Sequence, residues 1–291
     1  MHSLSGARFM ESACSSDTIS SYSITECLWA GRSDICDIVI AKSPVYGKVL
    51  FLDKELQSSE SDEVIYHEHL IHPVMNATHS VKEKRVLIVG GGEAATAREV
   101  LRWPVAHVDW VDIDGDLVNL CRRHLAWADD AVYNDPRLHF YAEDIRQFLA
   151  DRADKYDVIV LDLPDPDSDL EDDSESPTSY PLYGSTFWRV LREHCAPGGA
   201  VVSHVGPVMP AGDESVRRAG LALVKSMAAA HGFGTGHAYH ATIPSFQNEW
   251  GFWMSVAPSE ENNYPAGLIV MDGDTQKYAF TWPRYWTSPW F

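Results

Sequence analysis

An α/β protein is predicted, with a doubly wound parallel sheet behind a small antiparallel β domain. Three observations point there. From residue 85 onward short apolar runs alternate with helical stretches. Those runs end in glycine or a carboxylate, and the C-terminal edge of a parallel strand is where such sheets carry ligands. Before them, residues 35–52 hold two strand-like runs around a turn. The chain of 291 residues suits about two domains. They are expected over 22–80, strands with a linking helix, and over 81–291, the catalytic unit.

Residues 1–21 are rich in Ser and poor in apolar side chains, and read as a disordered arm. Ile35, Ile38 and Ile40, then Val49 and Phe51, mark two strands, with Ser43-Pro44-Val45-Tyr46-Gly47 as the turn. A helix is expected over 62–76: Ser59 and Asp62 suit a capping box, and Tyr66, Leu70 and Val74 form one stripe. Residues 86–89 make a buried strand that runs into Gly90-Gly91-Gly92. A helix over 93–103 stops before Pro104. Residues 107–111 are a second strand, closed by Asp112, and 117–127 a helix. Residues 138–142 are a third strand, followed by Glu143-Asp144. Residues 158–161 are a fourth, followed by Asp162, and 184–195 a helix. Pro197-Gly198-Gly199 turns into a fifth strand over 200–203. Between Asp165 and Glu175 seven of eleven residues are acidic, which reads either as a solvated loop or as a lid over the strand ends.

Composition narrows the function. Lys and Arg number 23 against 42 Asp and Glu, a net charge of −19. A nucleic-acid or anionic-membrane partner would need a basic face, so neither is expected. No apolar run approaches 18 residues and the N-terminus lacks a secretory pattern. Five scattered cysteines without a C-x-x-C pair suggest reduced thiols in the cytoplasm.

Gly90-x-Gly92-x-x-Ala95 follows a strand and opens a helix, the context of a nucleotide site. Asp112, 22 residues after Gly90, is placed to accept from ribose hydroxyls. Glu143 and Asp144 stand at the neighbouring strand end, where Asp144 could accept from an adenine amino group. Glu93, read as first turn of the helix, would repel pyrophosphate and attract a sulfonium or ammonium, which favours an S-adenosyl ligand with a cationic tail. Asp162 and Asp165 put two carboxylates past a buried strand, beside Glu93, and suggest an amine site. An alkylammonium with pKa near 10.4 costs about 4–5 kcal/mol to deprotonate at pH 7. A positioned carboxylate can take that proton as attack proceeds.

Several blocks then occur in order: Tyr46-Gly47-x-Val49-Leu50-x-Leu52-Asp53 with Gln57-x-x-Glu60-x-Asp62-Glu63-x-x-Tyr66-His67-Glu68; Gly90-Gly91-Gly92-Glu93; Asp162-x-x-Asp165-Pro166; Leu182-Tyr183; and Ile243-Pro244-Ser245-Phe246 with Gly251-Phe252. In these the chain resembles the polyamine aminopropyltransferases, the spermidine and spermine synthases, over about residues 35–257. The resemblance implies a Rossmann-like sheet of the S-adenosylmethionine-dependent methyltransferase type. It implies transfer of an aminopropyl group from decarboxylated S-adenosylmethionine to a polyamine, putrescine to spermidine foremost, with release of methylthioadenosine. Asp162 matches the general base. Tyr66 and Asp165 match acceptor-amine ligands, and His67, Gln57, His204 and Phe246 fall on substrate positions. Gly90, Gly92, Glu93, Asp112, Glu143, Asp144 and Cys36 fall on the donor side. No metal or further cofactor is implied, and a homodimer is. The chain departs from the family's common residues at Glu93 (often Asp), Cys36 and His204 (often Gln) and Phe246 (often Tyr).

The competing readings are an amine methyltransferase or alkyltransferase using ordinary S-adenosylmethionine, which Glu93 disfavours, and a non-catalytic polyamine binder. His67, His69 and His72 are close in sequence, but their spacing does not put three metal ligands on one helix face. Trp282, Trp286 and Trp290 read as core packing.

Overall fold

A computed structural model describes residues 3–12, 19–166, 181–208 and 219–287. Of the acidic stretch 165–175 only Asp165 and Pro166 fall within them, and Trp290 falls outside.

Five strands, β1 (Ser3–Ser12), β2 (Ile19–Arg32), β3 (Asp37–Ser43), β4 (Gly47–Leu52) and β5 (Glu55–Ser59), pair in chain order as an antiparallel meander. The expectation of disorder over 1–21 is therefore corrected: Ser3–Ser12 pairs along β2. Backbone ladders hold polar strands as well as apolar ones, and one buried face suffices. Tyr22 and Ile24 are buried between exposed Ser21, Ser23 and Thr25, and Phe9 stacks on Phe51 at 4.0 Å. β3 and β4 bury apolar side chains on both faces. Ile38, Ile40 and Leu50 pack against Leu117, Cys121 and Leu125, and Val49 and Phe51 against Tyr22, Ile24 and Leu56.

The helix α1 (Glu63–Ala77) buries every residue from His67 to Asn76, more than the single stripe expected. Leu70, Ile71, Val74 and Met75 join Val86, Ile88, Phe252 and Met254 in one core. On another side Glu68 accepts the N–H groups of Ile269, Val270 and Met271 at 2.7–2.8 Å. Asp62 does not cap the helix with its side chain. Buried, it accepts from Ser59 Oγ at 2.7 Å and from Ser245 N and Oγ at 2.6 and 2.9 Å, joining the helix start to the C-terminal strands.

The second sheet has seven strands: β6 (Lys84–Gly90), β7 (Val105–Asp112), β8 (Leu138–Ala142), β9 (Tyr156–Asp162), β10 (Cys195–Pro207), β11 (His237–Ile243) and β12 (Asn248–Met254), ordered β11-β12-β10-β9-β6-β7-β8. The five foreseen strands are parallel. β12 runs antiparallel to both β10 and β11 and was not foreseen. The connecting helices are α2 (Ala95–Leu101), α3 (Gly115–His124), α4 (Asp130–Tyr133), α5 (Ile145–Ala150), α6 (Ser185–His194) and α7 (Ala219–Ala230); α8 (Gly273–Ala279) follows β12. Among the described residues, no helix is long and apolar enough to cross a membrane.

Asp62→Ala should lower unfolding stability by about 2–4 kcal/mol, because it leaves the buried Ser245 N–H and hydroxyl unpaired. Urea unfolding followed by tryptophan fluorescence checks this, and a loss below about 1 kcal/mol would show the link to be dispensable.

Candidate active site

The chain leaves β6 towards β7 and β8, then returns to β9 on the other side, so a crevice opens at the C-terminal ends of β6 and β9. Gly90 pairs there with Asp162. Gly90 and Gly91 have φ of 84° and 71°. A Cβ on Gly90 would overlap the Asp162 carbonyl, one on Gly91 would lie 2.8 Å from Asp162 Oδ2, and one on Gly92 3.1 Å from Asp112 Oδ2. The glycine turn thus lies directly on two carboxylates. Ala94 is left-handed, φ 68°, so α2 starts at Ala95. Glu93 consequently stands in the turn before the helix and not in its first turn.

Asp162 is held at both oxygens. Tyr66 Oη donates to Oδ1 at 2.8 Å and Thr96 Oγ1 to Oδ2 at 2.5 Å. Burial and the Asp162 charge push the Tyr66 phenol well up, which keeps it a donor. Thr96 escaped the sequence reading, although its place in the first turn after the glycine motif aims it at the strand end.

A charge ladder runs from α1 into the crevice. His67 Nδ1 bonds the Glu63 carbonyl at 2.6 Å and Glu63 Oε2 at 3.0 Å, and its buried Nε2 lies 3.4 Å from Glu93 Oε1. Arg98 grips both Glu63 oxygens at 2.9 Å. Burial works against the charge on His67, yet Glu63 and Glu93 outweigh it and raise the imidazole to about 10. Burial likewise works against Glu63, but His67 and Arg98 bring it down to about 2. Glu63 and Arg98 were not among the predicted site residues; the i, i+4 spacing of Glu63 and His67 was the available signal.

At the end of β7 Asp112 lies beside Gly92 and accepts from Asp114 N at 2.8 Å. Burial, reinforced by Glu93, Asp114 and Asp162, lifts its carboxyl to about 7 even against that bond. Asp114 caps α3 through Leu117 N at 2.9 Å and accepts from Ser33 Oγ at 2.5 Å, with Cys36 Sγ at 3.7 Å. Cys36 therefore reaches this edge from the N-terminal sheet. Glu143 and Asp144 face their own arginines: Arg152 at 3.1 Å and, across both Asp144 oxygens, Arg146 at 2.5–3.1 Å. Asp144 also caps α5.

Beyond the end of β9 Asp165 Oδ1 lies 3.6 Å from His204 Nδ1. Phe246 and His204 stand at ring distances of 6.3 and 5.9 Å from Tyr66, and Trp250 packs against both of them. Gln57 does not join this group: on β5, its amide turns to the Glu55 carbonyl at 3.4 Å. The three close histidines diverge. His69 bonds the Ile65 carbonyl and His72 bonds Glu99, with Trp103 Nε1 donating to His72 Nδ1. Glu68, His72 and Glu99 come within metal-ligand distance of one another, but backbone N–H groups fill Glu68, and Arg98 and Arg102 bond Glu99.

The raised His67 carries a testable sign. A folded-state value of about 10 against an ordinary value near 6.5 stabilises the fold fully below pH 6.5 and is lost as pH rises through about 10. Urea melts of the native chain and of His67→Gln should differ most at pH 5.5–6.5 and converge towards pH 10; a gap independent of pH would remove the cation from the account.

Comparison with known proteins closes on this geometry. Residues 63–264 match the spermine/spermidine synthase domain, and 11–60 the spermidine synthase tetramerisation domain. A "polyamine aminopropyltransferase 2" of Pseudomonas aeruginosa is 34% identical over 278 residues, 90% of this chain and 75% of the relative. A thermospermine synthase of Arabidopsis thaliana is 35% identical over 237 residues, 81% of this chain and 66% of the relative. The crystal structure of spermidine synthase from Thermotoga maritima superposes with a TM-score of 0.80 at 19% identity, covering 98% of this chain and 94% of that one, and is a likeness of fold. With a glycine turn lying on the carboxylates of Asp112 and Asp162, and with both its domains matched, the chain belongs to the spermidine/spermine synthase family.

Proposed function

We propose that this chain transfers the aminopropyl group of decarboxylated S-adenosylmethionine to a polyamine, with putrescine giving spermidine. The observation that carries this is Asp162, fixed by two hydroxyls at the crevice, with Glu93 and Asp112 close by. The acceptor is an ammonium, which Asp165 and Asp162 attract and which is not nucleophilic until it loses a proton. Asp162 takes that proton. The freed nitrogen attacks the methylene beside the sulfonium; the new C–N bond forms as the C–S bond breaks, and sulfur leaves as neutral methylthioadenosine. Tyr66 and Thr96 hold the carboxylate in one orientation, which supplies positioning.

Glu93 selects the donor. It offers its carboxylate to the ammonium of an aminopropyl tail and repels the extra carboxylate of ordinary S-adenosylmethionine. The cation on His67 holds it in place, and Glu63 balances that cation so that the wall facing the donor stays negative. Asp112 accepts from the ribose hydroxyls. The match of the N-terminal sheet to a tetramerisation domain supports assembly of several copies through it.

Mass spectrometry of products across an amine panel tests the reading: methylthioadenosine should form with decarboxylated S-adenosylmethionine plus a diamine, and its absence with every di- and triamine would sink it. Asp162→Asn should cut kcat by about 10²–10⁴ with the fold intact by circular dichroism; near-native turnover would remove it as base. Calorimetry should find the decarboxylated donor bound at least about tenfold tighter than the ordinary one, a preference that shrinks in Glu93→Gln. Tighter binding of the ordinary donor would favour an amine methyltransferase.

A further inference from the structure

We propose that Tyr22 of the N-terminal sheet is a positioning residue for the amine: through Ser245 its hydroxyl sets where the Phe246 ring stands beside Tyr66. The inference rests on the aminopropyltransferase reading and adds to it a residue from outside the catalytic sheet.

Phe246 lies in the turn over residues 244–247, between β11 and β12. Pro244 to Phe246 make a single 3-10 turn, and Gln247 leads into β12 with a left-handed φ of 55°. A turn beyond the last ladder bond has no sheet neighbour to hold it. This one is held at Ser245, which is fully buried and has all three polar atoms bonded. Its N and Oγ donate to Asp62 at 2.6 and 2.9 Å, at the start of α1. Its carbonyl accepts from Tyr22 Oη at 2.9 Å, across 223 residues. The turn is thereby pinned between α1 and β2.

Tyr22 is itself fixed. Its ring meets Phe51 edge-on at 5.5 Å and Tyr46 at 5.9 Å. Phe246 packs against the same cluster of Tyr22, Val49, Phe51 and Leu56. Its ring also meets Tyr66 at 6.3 Å and 74°, and Trp250 at 4.6 Å. One aromatic side chain therefore bridges the N-terminal sheet and the crevice. Residues 11–60, which include Tyr22, match a domain named for assembly. The bond to Ser245 gives that sheet a second task, inside the site.

The effect falls on binding and not on the chemical step. Asp162 is oriented by Tyr66 and Thr96, through bonds that do not pass through Ser245. A buried carbonyl that loses its donor is costly, so the turn shifts to recover one. Phe246, the next residue, moves with it. The methylenes between two ammonium groups need an apolar surface at a fixed distance, and a displaced ring supplies it less well.

Steady-state kinetics of Tyr22→Phe test this, with 1,4-diaminobutane varied at saturating decarboxylated S-adenosylmethionine and then the reverse. Phe keeps the ring and removes only the hydroxyl. The KM for the amine should rise at least about threefold, with kcat and the donor KM within about twofold of native. Phe9→Leu is the control: Phe9 stacks on Phe51 at 4.0 Å, so this change loosens the same sheet and leaves the Ser245 bond alone. It should keep all three constants within about twofold of native. A purely structural role for Tyr22 would lower urea stability in both variants and leave the amine KM in place. An unchanged amine KM in Tyr22→Phe overturns the proposal, and so does an equal rise in Phe9→Leu. In either case methylthioadenosine release by the native chain leaves the aminopropyltransferase reading standing. If the native chain releases none with any di- or triamine, that reading fails and takes this proposal with it.

Discussion

Gly90 and Asp162 pair across β6 and β9 so closely that no side chain fits at the glycine. Gly91 N–H then donates to the Asp162 carbonyl at 3.0 Å, which turns the chain over the strand end. The Asp162 carboxylate lies against that turn, in the space a Cβ of Gly91 would need. It projects to Thr96 at the start of α2 and to Tyr66 on α1. One steric constraint thereby fixes the crevice, the direction of the candidate base and the entry of α2, whose start slips to Ala95 through the left-handed Ala94. Glu93 is left in the turn before the helix and not in its first turn.

Crowding four carboxylates around one crevice is electrostatically expensive, and the structure offsets it selectively. Glu93 has the charged His67 beside it, Asp165 has His204, and Asp162 has two hydroxyls. Asp112 has only a backbone N–H and is lifted to about 7. The compensating cation, His67, stands behind Glu93 on α1. Only a small part of the net charge of −19 is concerned. Its position at the strand ends, and not its total, suits a cationic donor and a cationic acceptor.

What the sequence disclosed follows contact range. The parallel strands were legible because both faces are buried, so Val86-Leu87-Ile88-Val89 and Val158-Ile159-Val160-Leu161 are continuous apolar runs. β1, β11 and β12 were not, since edge and antiparallel strands mix polar residues with apolar ones: His237 to Ile243 alternates without a clean run. Motif residues at the crevice were legible by their place at strand ends. Their supports were not, because Tyr66 meets Asp162 across 96 residues and Ser245 meets Asp62 across 183. Gln57, placed by pattern, keeps a local partner, the Glu55 carbonyl on its own strand.

These long-range supports converge on α1, which explains why a helix read as a link is buried almost all round. Its first two turns carry Glu63, Tyr66 and His67 into the crevice, while Asp62 ties its start to Ser245, and Glu68 and Asn76 tie its body to residues 261–271. The aromatic wall at Phe246 and Trp250 follows Ser245 directly. A shift of α1 would therefore move the hydroxyl on Asp162 and the aromatic wall at Phe246 and Trp250 together. Sharing the helix between core and site converts packing rigidity into fixed distances at the carboxylates. A helix held from only one side would transmit its own fluctuation to Tyr66, and the 2.8 Å bond that orients Asp162 would not persist.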